Sequence, residues 1–95
     1  MLEREIESAL GKSVKALGGL YWKFVSPGMN GVPDRIIALP GGLTVYVELK
    51  KPGEQPRPLQ LKRHQELRER GHLVYVIDTL EGVHAFIQEV YIHGV

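Results

Sequence analysis

The chain has 95 residues, 43% of them apolar and 24% charged, a balance that suits one domain with a modest core and not a chain that stays disordered. It contains no cysteine, which excludes a disulfide framework and a thiolate zinc site and fits an intracellular protein without establishing one. The formal net charge of +1 hides an asymmetry, because residues 50–70 hold seven Lys or Arg against three Glu, whereas residues 71–95 hold three acids and no Lys or Arg. Such a basic segment suits a surface for polyanions, and equally an ordinary solvated helix face. The N-terminus is charged from Glu3 onward without an apolar run, which argues against a signal peptide. No stretch approaches the roughly 18 to 20 apolar residues of a membrane span, so the expectation is a soluble, cytoplasmic protein.

In chain order, Leu2, Ile6, Ala9, Leu10, Val14 and Leu17 place an apolar stripe on a helix over residues 2–17, stopped by Gly18-Gly19. "LYWKF", residues 20–24, reads as a strand from its aromatic content, and "SPGMNGVP", residues 26–33, as a loop. "DRIIAL" and "LTVYVELK" are strands joined by a tight connection at Pro40-Gly41-Gly42. "KPGEQPRP", residues 51–58, is a second polar loop, followed by a helix over residues 59–70 that Gly71 ends. "LVYVID" is a fourth strand, and "TLEGVHAFIQEV" a last helix with Thr79 as N-cap. The order α-β-β-β-α-β-α, with a helix between the third and fourth strands, predicts an α/β fold with a mixed central sheet flanked by helices on both faces.

Two strands that read as buried carry carboxylates, Asp34 and Glu48, and Lys50 follows the second. Residues two apart share a face of a strand, so Tyr46, Glu48 and Lys50 point the same way. A three-residue connection at 40–42 pairs Leu39 with Leu43, and the same register sets Asp34 directly opposite Glu48. Directly opposed Cβ atoms lie about 4.5 to 5.5 Å apart. Two carboxylates at that separation repel, and a divalent cation between them resolves the conflict. A one-residue slip would send the two to opposite faces, so the expectation depends on the register. Either Glu3 or Glu7, one turn apart on the first helix, could reach the same sheet edge, and the Leu49 carbonyl offers a neutral oxygen. Oxygen-only ligation favours Mg²⁺, with Mn²⁺ as a substitute, over zinc. Lys50 beside the cation could orient a water or stabilise charge on a phosphate. The bland alternative is a pair of charged residues at strand ends, solvated or paired with Arg35 or Lys51.

"GVPD", with "ELK" placing Glu48 fourteen residues after Asp34, resembles the PD-(D/E)xK nuclease signature. More narrowly, "LEREI", "GVPDRI", "VELKKPGEQPRPLQ" and "VYVIDTLEGVHAFI" are similar to the VRR-NUC family, a resemblance that covers nearly the whole chain. It implies a restriction-endonuclease-like α-β-β-β-α-β core and a single nuclease domain over residues 1–95, stand-alone as in bacteriophages. It implies Asp34 and Glu48 as principal metal ligands, Lys50 as the catalytic lysine, Glu3 as a metal or metal-water ligand, and Gln60 as the residue completing the site. It further implies a Mg²⁺-dependent, structure-specific DNA endonuclease, with a homodimeric Holliday junction resolvase as the leading form. A four-way junction is two-fold symmetric, so paired nicks suit two active sites related by a dyad. The dimer contact would come from "LYWKF" or from the tail "VYIHGV". The host would be a bacterial or phage-infected cell.

Lys51, Arg57, Lys62 and Arg63 are the expected DNA contacts, and phosphate contacts make binding weaken steeply with salt. His64, His72, His84 and His93 form no metal-ligand spacing; His64 either touches DNA or lies on a polar surface. Tyr21, Trp22 and Phe24 read as core or dimer contacts rather than base-stacking platforms. Three rivals remain from the sequence: a monomeric flap or nicking endonuclease, a non-catalytic DNA-binding module that tolerates loss of Asp34 or Glu48, and a structural domain that binds no metal.

Overall fold

The computed structural model describes residues 1–94, and side chains through residue 91. Its elements run α1 (Glu3–Ala16), β1 (Leu20–Lys23), β2 (Arg35–Leu39), β3 (Leu43–Leu49), α2 (Pro58–Glu69), β4 (Leu73–Ile77) and α3 (Leu80–Gly94). This is the expected order, and the strands form one sheet in the order β1-β2-β3-β4. β1, β2 and β3 are antiparallel, and β4 joins β3 in parallel because α2 carries the chain back across the sheet. The result is a four-stranded mixed sheet with helices on both faces, a restriction-endonuclease-like fold.

α1 buries Ile6, Leu10 and Val14, a spacing of four that keeps one face inward. These residues pack with Ile37, Leu39, Val45, Val47, Leu49 and Ile77 of the sheet and with Val83, Phe86 and Val90 of α3. Fully burying side chains of this kind stabilises by roughly 1.5 to 3 kcal/mol each before the entropy cost of ordering the chain. Gly11 lets the Tyr21 ring lie directly on α1, since a Cβ there would come 2.8 Å from Tyr21 Cε2. α3 starts as expected, with the Gly82 N–H donating to Thr79 Oγ1 at 2.9 Å. It runs four residues further than the pattern up to Val90 indicated.

The opposite face of the sheet is less covered. α2 buries only His64 among its residues, and Leu59 and Leu61 are exposed. On this same face, at the β1 edge that α2 does not reach, Leu20 and Trp22 remain open, with Trp22 58% exposed. Of the two expectations for Trp22, core or dimer contact, the core one is therefore excluded: alternation along β1 turns Tyr21 to the α1 side and Trp22 to the poorly covered face. Of the tail considered as a dimer contact, the side chains of residues 92–95 lie outside the described residues. Among the described residues, no helix is long and apolar enough to cross a membrane.

Candidate active site

The register pairs Leu39 with Leu43 and Arg35 with Val47, as the three-residue connection predicts. Gly41 and Gly42 both take φ of +90°, which lets the chain reverse in so few residues. Asp34 stands one residue before β2, and its carbonyl accepts the Phe24 N–H at 2.8 Å, so the β1–β2 ladder runs on to it. Its side chain turns onto the end of β3, where Oδ2 accepts the Leu49 N–H at 2.7 Å.

The loop that delivers Asp34 is docked on α2. Gly31 has φ of +88°, and a Cβ there would stand 2.9 Å from Leu59 Cγ and 3.0 Å from the Leu59 carbonyl oxygen. Arg63 Nε donates to the Asn30 carbonyl at 2.9 Å and closes the same contact. The glycine of "GVPD" is thus needed for a left-handed turn under close approach, while Pro33, itself fully buried, restricts the chain just before the carboxylate.

Glu48 is 1% exposed, and both of its oxygens are engaged by α2. Gln60 Nε2 donates to Glu48 Oε2 at 3.1 Å, and His64 Nε2 lies 3.3 Å from Oε1. Gln60 is held from its other end, because its Oε1 accepts the Arg57 N–H at 2.8 Å and caps the helix. That cap orients the amide so that the nitrogen faces Glu48. Lys50, 7% exposed, places Nζ 3.9 Å from Glu48 Oε2 and 3.9 Å from Glu54 Oε1. Burial first, then the charge and hydrogen bond of Asp34, push the Glu48 carboxyl up to about 8; Lys50 opposes the shift and Glu3 adds to it. A buried carboxylate crowded by a second one is short of positive charge, which a proton or a bound cation would supply.

Glu3 and Glu7 part company here. Glu7 Oε2 is paired with Arg35 at 3.1 Å, and the Arg35 guanidinium lies 4.2 Å from the centroid of the Tyr21 ring. The charge of Glu3 adds the smallest of the upward pushes on Glu48. Among the described residues, no three His, Cys, Asp or Glu side chains converge as a cage for a metal. Two carboxylates with a neighbouring backbone carbonyl still fit Mg²⁺, which keeps several waters and binds through one or two carboxylates plus substrate oxygens.

The basic residues divide. Lys51, Arg57 and Lys62 are exposed. Arg63 turns inward to Asn30 and to Glu66, at 2.9 Å, so it ties down the loop. Arg68 donates to the Val74 carbonyl at 2.6 Å and Arg70 to the Glu66 carbonyl at 2.9 Å. The surface reading of His64 is overturned: its side chain is fully buried, because α2 crosses the sheet over Glu48. Burial, followed by the charge of Arg68, lowers its affinity for a proton, so the ring is neutral at pH 7. The signal that could have found it is its spacing of four residues from Gln60, which sets both on one helix face.

No family model matches the chain. A curated relative named "Putative nuclease p44", from Acyrthosiphon pisum secondary endosymbiont phage 1, is 51% identical over 77 residues, 81% of this chain and 83% of that protein. A solved structure described as "VRR_NUC domain" matches with a TM-score of 0.83 at 30% identity, covering 98% of this chain and 97% of its own. Identity of that extent, on a fold shared over almost the whole chain, places this chain in the VRR-NUC family of nucleases.

Proposed function

We propose that the chain is a Mg²⁺-dependent DNA endonuclease, with Mn²⁺ able to substitute, and that it acts on branched DNA as a homodimer, most readily on a four-way junction. The observation that carries this reading is the Asp34–Glu48 pair, a buried carboxylate with a raised affinity for protons beside a second carboxylate at one end of the sheet. Asp34, Glu48 and the Leu49 carbonyl would hold the cation, and Glu3 would reach it through a water. Bound there, the cation would lower the pKa of a coordinated water and offset charge on the scissile phosphate.

The side chains divide the remaining work. Gln60 holds Glu48 in place through the amide that caps α2. Lys50, held against Glu48 and Glu54, would donate to a phosphate oxygen as charge builds on it. Lys51, Arg57 and Lys62 lie on exposed surface and would take the flanking phosphates. Exposed Leu20 and Trp22 on the edge strand β1 offer an apolar face for a second copy.

Cleavage of labelled four-way junction, flap and linear duplex DNA tests the reading, alongside sedimentation to give the oligomeric state. Paired symmetric nicks by a dimer support the resolvase. Cleavage of flaps or duplex by a monomer keeps the catalytic site and replaces the substrate. A protein that binds all three DNAs and cuts none is a binding module.

A further inference from the structure

Among the described residues, His64 is the one fully buried histidine, and it sits on a helix whose other side chains face outward or lie half-covered. A polar ring in that position carries a cost unless its nitrogens are satisfied. Nε2 has a partner, Glu48 Oε1 at 3.3 Å, whereas buried Nδ1 has none. The two neutral tautomers are therefore unequal. With the proton on Nδ1, a donor is buried unpaired and, once Glu48 is ionised to take a cation, the Nε2 lone pair faces a carboxylate oxygen. With the proton on Nε2, Glu48 gains a donor and only an acceptor is left alone, the cheaper of the two. Gln60, four residues earlier on the same face of α2, donates to the other oxygen.

We propose that His64 is a positioning residue, a neutral Nε2–H donor that acts with Gln60 to clamp the ionised Glu48 carboxylate beside Asp34 in the orientation that takes a divalent cation. The proposal rests on reading Asp34 and Glu48 as metal ligands. Partners of this kind are worth about 10- to 100-fold in metal affinity.

The test uses the full chain and Mn²⁺ alone, with affinity from calorimetry and fold from thermal melts. His64→Met keeps the bulk and removes the donor; His64→Gln returns an N–H near the position of Nε2. Mn²⁺ affinity should fall about 10- to 100-fold in the Met variant and largely recover in the Gln variant. A Met variant that binds as the wild type does, or a Gln variant no better than Met, overturns the inference alone. Wild type that takes up no Mn²⁺ overturns the metal reading and the inference with it. Nitrogen NMR of the wild-type imidazole, saturated with Mg²⁺, needs no variant. An Nε2–H tautomer is expected, and an Nδ1–H tautomer refutes the clamp even if the Met variant fails to fold.

Discussion

Glu48→Gln should make the metal-free protein more stable at neutral pH while destroying its proposed site. In the folded chain the Glu48 carboxyl is pushed from 4.5 up to about 8, with burial as the largest cause. A carboxyl whose folded pKa is raised binds its proton more tightly in the native state than in the unfolded one. Stability is then fully present below the unfolded pKa and falls as pH rises from 4.5 to about 8. Between about pH 5 and about pH 8 the shift corresponds to a loss of about 3 kcal/mol. For a domain of this size that is a fall in Tm of roughly 10 to 20 °C. Glu48→Gln lacks the ionisation, so the difference in Tm between the two proteins should grow with pH in favour of the variant. Melts in a chelator at the two pH values, wild type against variant, give the answer. Added Mg²⁺ should restore the wild type at the higher pH and leave the variant unmoved, since a ligand bound only by the native state stabilises it. Parallel pH profiles for the two proteins would refute the claim that Glu48 is held as a high-pKa carboxyl.

Three further outcomes follow from the geometry. Gly31→Ala should cost about 2 kcal/mol, from a positive φ and a Cβ pressed on Leu59, and should lower cleavage by displacing Asp34. Gly28→Ala, with φ of +79° but nothing within 4 Å, should cost less and spare cleavage, as urea melts and single-turnover rates will show. Lys62→Ala should reduce the salt slope of DNA binding by about 1, whereas Arg63→Ala should lower stability, because Arg63 is committed to Asn30 and Glu66. Trp22→Ser should shift sedimentation toward monomer; an unchanged dimer would place the contact elsewhere.

The sheet was legible because its signals are local. Pro40-Gly41-Gly42 set the β2–β3 register, and with it the approach of Asp34 to Glu48, before any packing was known. The alternation of β3 then separated the core residues Val45, Val47 and Leu49 from the side bearing Glu48 and Lys50. α2 was legible as a helix but not in its orientation. It carries no apolar stripe, so its hydrophobic pattern does not say which side faces the sheet. What turns it is a polar contact, Glu48 beneath Gln60 and His64, and that is a tertiary fact. For the same reason Arg63, Arg68 and Arg70 read as a basic surface although each reaches a backbone carbonyl. The partner of Glu7 needed the structure too. Glu3 and Glu7 both flank the α1 stripe, and only the position of Arg35, at the start of β2, assigns Glu7 to an ion pair.

The most direct measurement is single-turnover cleavage of a labelled four-way junction by wild type and Asp34→Asn, each with Mg²⁺ and with chelator. The account predicts cleavage by wild type in Mg²⁺ alone, and a rate for the variant lower by about 10³-fold or more, as expected when catalytic charge stabilisation is removed. Cleavage by wild type in chelator, or by Asp34→Asn at the wild-type rate, would contradict it.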